Sequence, residues 1–322
     1  MNPAETQFRR TDMEKIAIRD AYGDALKELG KQNKKVVALE ADVGNSTKSI
    51  KFGKEFPDRY FEVGISEMDM VNMAIGMAID GLIPFTNTFS TFLATRASDP
   101  IVSQIGYDHL NVKLAGTYVG MSDSYDGASH NAITDLAFVR SIPGMVVITP
   151  SDAVTAKKAV FAAAEYEGPV YLRLSRAAAP VMYDDSLDFQ IGKGIRYREG
   201  TDVTIVVTGT LLSKAVEAAD LLKADGISAE VIDMPTIKPF DEEMLLESVR
   251  KTGAVVTMEE DSICGGLYGA VTEVLCRTCP VPADGIGATQ YAESGDYEQL
   301  LTKYGYTAQK LAEKAKAVIA RK

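Results

Sequence analysis

The 322-residue chain is 46% hydrophobic and 25% charged, the composition of an ordinary globular protein of about two domains. This excludes a disordered or fibrous chain. Its 34 basic and 45 acidic side chains leave a formal net charge of -11, a field that repels nucleic acid yet leaves room for a small anion in a local basic pocket. The N-terminal MNPAETQFRRTDMEK has no apolar core for a signal peptide, and no apolar run is long enough to cross a bilayer. Three cysteines make no disulfide framework. Cys276 and Cys279 form a C-x-x-C, but Cys264, His109 and His130 do not complete it with zinc-ligand spacing, so this pair reads as buried small residues near a helix end. The expectation is a reducing, cytoplasmic compartment and no metal held by this chain.

Strand and helix patterns alternate along the chain, which predicts an α/β protein with mainly parallel sheets. Thr11 and Glu14 form a capping box ahead of a helix over IAIRDAYGDALKELG. VVALEAD reads as a strand before the polar loop VGNSTKS, and YFEVGI as a second strand. Ser66 then caps the helix EMDMVNMAIGMAIDG. The strand PFTNTF follows, then a helix from near Thr91, the strand VKLAGTYVG and the loop MSDSYDGASH. MVVITP, a helix capped by Ser151 and VYLRLSR complete the first unit, residues 12–185, behind a tail at 1–11. A polar linker spans 186–200. The second unit, 201–322, holds the strands VVTGT, AEVIDM and AVVTMEE between helices, one of them closed by Gly226.

Neither the dinucleotide fingerprint nor a P-loop nor a nucleophile elbow is present. CGGLYGA has the wrong spacing for a dinucleotide turn and suits close packing at a helix start. Glu67 lies in the first turn of an apolar helix, where an acid ordinarily answers the helix dipole. Phe89 and Phe92 lie at the next strand-to-helix turn, and His130 in a glycine-containing loop after a strand. Ligands of doubly wound sheets bind at such carboxyl ends, so an acid, an aromatic and a histidine share one rim.

In this order, RYFEVGISEMDM, GMAIDGLIPFTNTFSTFLATRA and YDGASH resemble the pyrimidine-binding half of the thiamine diphosphate enzymes, and transketolases most closely. SIPGMVVITPSDA and YLRLSR also match that family. TDVTIVVTGT, SAEVIDMPTIKPFDEE and VVTMEED resemble the transketolase C-terminal domain, so the likeness runs over roughly residues 12–322. The resemblance implies two doubly wound domains. It makes Glu67 the catalytic acid on the cofactor's pyrimidine, Phe92 the ring stacked on that pyrimidine, and Asp126 and His130 the groups facing the sugar. Burial under an apolar wall suits a carboxyl that must carry or share a proton, and His130 suits hydrogen bonding to a developing alkoxide.

The same resemblance makes Arg19, Ser46 and Arg176 ligands of a substrate phosphate, since arginine forks match phosphate geometry. Taken alone, they read as a solvated helix residue, a turn residue and a strand-end charge. Two positions depart from the family: Met68 follows the catalytic acid where histidine is usual, and Tyr118 stands at or near the place of the family's phosphate-binding histidine. These departures open the tail to phosphate or to another anion such as sulfonate. The family's magnesium signature, G-D-G followed by Asn, does not occur. The resemblance therefore implies the C-terminal subunit of a split transketolase, with magnesium and the diphosphate held mainly by an N-terminal partner subunit in an α2β2 heterotetramer. The alternatives are the β subunit of a 2-oxoacid dehydrogenase, a deoxyxylulose-phosphate synthase half, or a non-catalytic regulatory homologue. Intact Glu67, Phe92 and His130 disfavour the last, and Arg19, Ser46 and Arg176 with the D-G-x-[ST]-H loop disfavour the first.

Overall fold

A computed structural model describes residues 14–322. Thr11, half of the expected capping box, lies outside them. Strand β1 (Lys15–Ala17) precedes the first helix, which begins at Ile18, with Ala17 at its N-cap and no side-chain cap. The helix thus starts two residues later than its apolar pattern suggests, because Lys15–Ala17 pairs antiparallel with β8 (Ala178–Pro180).

Seven strands form the larger sheet. In chain order six of them are β2 (Val36–Glu40), β3 (Tyr60–Glu62), β4 (Ile83–Phe89), β5 (Lys113–Thr117), β6 (Val146–Ile148) and β7 (Val170–Leu174). All their pairings are parallel. β2, β4, β5, β6 and β7 are buried along their whole length, as expected of strands covered by helices on both faces. The smaller sheet contains β9 (Ile195–Arg198), β10 (Val203–Val207), β11 (Ala229–Asp233), β13 (Val255–Ser262) and β14 (Ala283–Ala288), in the order β14-β13-β10-β11-β9. Only β9 runs antiparallel there. β12 (Thr236–Lys238), although it follows β11, leaves that sheet and pairs antiparallel with β6 at the edge of the larger one.

Four local expectations are corrected. Ser66 occupies the N-cap of helix Glu67–Ile79, but its side chain makes no cap bond. Asp152, not Ser151, caps helix Ala153–Glu165, in a reciprocal box with Thr155. Ser151 instead donates to Asp233 at 2.6 Å. Of the cysteine pair, Cys276 is exposed and Cys279 half-buried, and both are free. Within the polar stretch 186–200, residues 195–198 form β9.

The two sheets share one hydrophobic core, in which Leu39, Leu114 and Leu136 pack with Val206, Ile232 and Leu267. Beside it, Arg173 at the end of β7 bonds Asp135 and Asp261 at 2.8 Å each, and the carbonyls of Ala132 and Glu260. All three charged side chains are buried. β2 leads to β3 on one side while β4 lies on its other. The chain therefore reverses direction across the sheet there, which opens a crevice at the carboxyl ends of these strands.

Candidate active site

Every residue expected to act lies at that carboxyl edge. Glu67 opens helix Glu67–Ile79 just after β3 and is 4% exposed. Its Oε1 accepts a bond from Arg96 Nη1 at 2.7 Å. The Arg96 guanidinium in turn lies over the Phe92 ring, 3.8 Å from its centroid. Phe92 and Arg96 both belong to helix Ser90–Arg96, which begins where β4 ends. Four residues apart, they fall on the same helix face. His130 meets the Phe92 ring edge-on, with centroids 5.2 Å apart. Acid, aromatic and histidine therefore form one continuous surface, as the sequence order suggests.

The second half of the site is built around Tyr118. It follows β5 with φ of 62°, a left-handed conformation that is costly for a bulky residue and characteristic of functional loops. Its ring stacks on Phe89 with centroids 4.2 Å apart. Arg19, in the first helix, donates to the Tyr118 hydroxyl and to the Ser46 carbonyl, the latter at 3.0 Å. Arg176, just past β7, lies 5.5 Å from the same ring. Arg19, Ser46, Tyr118 and Arg176 thus converge, with Ser46 taking part through its backbone oxygen.

The loop between Tyr118 and His130 is fastened to the second unit. Gly120, at φ 59°, lies so close to β13 that a Cβ there would sit 2.5 Å from Glu260 Cγ. Gly127, the glycine of Y-D-G-A-S-H, has φ of 73°, and a Cβ would meet Ser294 Oγ at 2.5 Å. Met121 donates its N–H to Glu260 at 2.7 Å, Ala292 donates to Asn131, and Gly295 donates to the Ser124 carbonyl. Burial pushes the Glu260 carboxyl up to about 7 against the bonds from Tyr297 and Met121. The C-terminal unit therefore holds in place the loop that carries Asp126 and His130.

Two participants were not expected from sequence. One is Arg96, which ends its helix as an ordinary solvated arginine would and is marked only by its contact with Glu67. The other is Asp123, 2% exposed, whereas Asp126 is exposed. Asp123 lies 3.7 Å from Arg176 Nη1. A Ser/Asp/Gly run reads as solvated, and nothing local signals that one of its carboxylates is enclosed. Among the described residues, Asp123, Asp126 and His130 bring potential metal-ligand atoms within 4.8 Å of one another, and Arg176 supplies a counter-charge there.

The fold is that of a thiamine diphosphate-type pyrimidine domain joined to a second α/β domain. The chain belongs to the transketolase family: residues 14–182 match its pyrimidine binding domain and residues 192–311 its C-terminal domain. It is 41% identical to a protein of Methanocaldococcus jannaschii described as a transketolase C-terminal section, over 92% of this chain and 94% of that one. It is 38% identical to the 6-deoxy-6-sulfo-D-fructose transketolase subunit of a Clostridium strain, over 96% and 97%. A solved structure titled "Split gene transketolase, inactive beta4 tetramer" superposes with a TM-score of 0.87 at 45% identity, covering 95% of this chain and 99% of that one. No helix among the described residues is long and apolar enough to cross a membrane.

Proposed function

We propose that this chain is the C-terminal subunit of a split transketolase, which transfers a two-carbon ketol unit from a ketose to an aldose with thiamine diphosphate. The observation that carries the reading is the shared surface of Glu67, Phe92 and His130, continued by Arg19, Tyr118 and Arg176. The printed descriptions of its relatives, a C-terminal section and a transketolase subunit, support it.

The residues present suit the pyrimidine half of the cofactor: a buried carboxylate beside an aromatic ring, whose face Arg96 covers in this structure. When bound, thiamine diphosphate supplies the carbon nucleophile that attacks the ketose carbonyl. Glu67 holds or shares a proton at a pyrimidine ring nitrogen, and Phe92 supports that ring by stacking. Arg96 occupies both partners in this structure, so it gives up the Phe92 face for the ring to stack there. His130 and Asp126 donate to and accept from the sugar's oxygens, and a positioned imidazole there stabilises developing negative charge. Arg19, Arg176, Ser46 and Tyr118 orient the sugar's far end. An N-terminal partner subunit contributes the magnesium and diphosphate site, in an α2β2 assembly acting in the cytoplasm. The pyrimidine-binding unit spans 12–185 and the C-terminal unit 201–322, joined by 186–200.

Calorimetry on the purified chain with magnesium and thiamine diphosphate tests the subunit reading. Binding is expected to be weak, because the diphosphate charge needs a cation and loop donors from elsewhere. Tight one-to-one binding by this chain alone, with ketol transfer, overturns it.

A further inference from the structure

Glu40 ends β2 with its side chain fully buried. Four groups of the turn that follows bond this one carboxylate. Oε1 accepts from the N–H groups of Ala41 at 3.1 Å and Val43 at 3.2 Å. Oε2 accepts from the hydroxyls of Thr47, at 2.8 Å, and Ser49. The turn needs such a hold. Asp42 and Lys48, near its two ends, have φ of 60° and 69°, a left-handed conformation that persists in non-glycine residues only where the surroundings over-determine it.

What this turn carries is Arg19. Between the two left-handed residues, the helical turn Gly44–Thr47 presents the Ser46 carbonyl, which accepts from Arg19 Nη1 at 3.0 Å. The same nitrogen donates to Tyr118, so Nη1 is anchored in the protein. Nε of Arg19 is buried with no hydrogen-bond partner, and an unpaired buried donor points to a ligand. The first helix is itself seated on the turn: a Cβ at Gly23 would lie 2.6 Å from the Lys48 carbonyl oxygen, so the two backbones touch. A shift of residues 42–48 therefore moves both the anchor of Arg19 and the helix that bears it.

We propose that Glu40 is a positioning residue for the substrate's anionic tail: it does not touch the tail, but it fixes the turn whose Ser46 carbonyl aims Arg19. The inference rests on reading Arg19 and Arg176 as the tail-binding arginines. Arg176 is held instead by Ser122 at its N–H and by Asp123 at its guanidinium, so it serves as the internal control. Glu40→Gln keeps the side-chain volume. An amide has one accepting oxygen, however, and cannot accept from the Ala41 and Val43 N–H groups and from both hydroxyls at once. One side of the turn then loses its hold, and Arg19 loses its fixed anchor.

The full chain is titrated to saturation with methyl phosphate, followed by NMR or calorimetry, at about pH 8 so that Glu40, whose carboxyl burial pushes up to about 7, is ionised. Glu40→Gln is expected to weaken binding about three- to tenfold. The loss persists in an Arg176→Ala background and disappears in an Arg19→Ala background, because Glu40 acts only through Arg19. Thr47→Val withdraws one of the hydroxyls. It is expected to give a smaller loss of the same pattern, and it serves if Glu40→Gln does not fold. An affinity unchanged in Glu40→Gln, or an equal loss with and without Arg19, overturns the positioning role and leaves Glu40 a part of the fold alone. If Arg19→Ala and Arg176→Ala both leave the affinity intact, or the wild type does not bind methyl phosphate, the tail-pocket reading itself fails and the inference falls with it.

Discussion

Among single residues, Glu67 bears the most chemical weight. Glu67→Gln keeps the shape and the bond from Arg96 but cannot hold or share a proton at the pyrimidine nitrogen. In the assembled enzyme it is expected to lower exchange of the cofactor's reactive C–H, read by NMR, by at least about a hundredfold, with assembly intact. An exchange rate near wild type rejects the role. Glu67, Phe92, His130, Arg19, Arg176 and Tyr118 were all legible in sequence, because each sits in a short motif whose order survives in one chain. Arg96 and Asp123 were not. Arg96 ends a helix as an ordinary solvated arginine would, and its meaning appears only when Glu67, 29 residues away, is 2.7 Å from it. Asp123 and Asp126 look alike as letters, and only tertiary burial separates them.

Elements were legible where their pattern is local and obscure where a distant partner decides. The buried runs of β2, β4, β5 and β7 announced themselves by composition. β12 did not, since the residues Thr236–Lys238 leave the sheet of their chain neighbours to join β6. Caps were misassigned for a similar reason: Ser151 is the better N-cap by spacing, but Asp233 of β11 claims its hydroxyl, leaving Asp152 to cap. The same cross-element logic governs Arg173, which ties β7, helix Asp135–Ser141 and β13 together. Arg173→Met leaves Asp135 and Asp261 buried without their cation, and is expected to cost about 3–5 kcal/mol in chemical denaturation. Burial and the neighbouring Asp135 hold the Asp261 carboxyl well above its ordinary value, so the orphaned charge is that of Asp135, and adding Asp135→Asn should recover much of the loss. A neutral effect of the single substitution would mean that water reaches the trio.

For the molecule as a whole, joining two sheets in one core encloses acids at their junction. Burial pushes the carboxyls of Asp233, Glu259 and Glu260 there, and of Glu40 at the end of β2, up to about 7, from ordinary values of 4.5 for Glu and 3.8 for Asp. Each therefore holds its proton more tightly folded than unfolded. The stability they contribute is fully present below about pH 4 and is lost as pH rises through 7. Lys113 works the other way: burial lowers its ammonium from 10.5 to about 7, so the unfolded chain binds the extra proton between those values, and stability rises with pH across that window. One lysine against these four acids and Asp123, whose carboxyl is also pushed up to about 7, leaves a net loss from pH 5 to 7.5. The melting temperature, measured at fixed protein concentration and ionic strength, is expected to fall over that interval by on the order of 5–10 °C. Asp233→Asn should shallow the slope by removing one titration. A melting temperature equal or higher at pH 7.5 would show that these carboxylates ionise in the folded chain as freely as in the unfolded one.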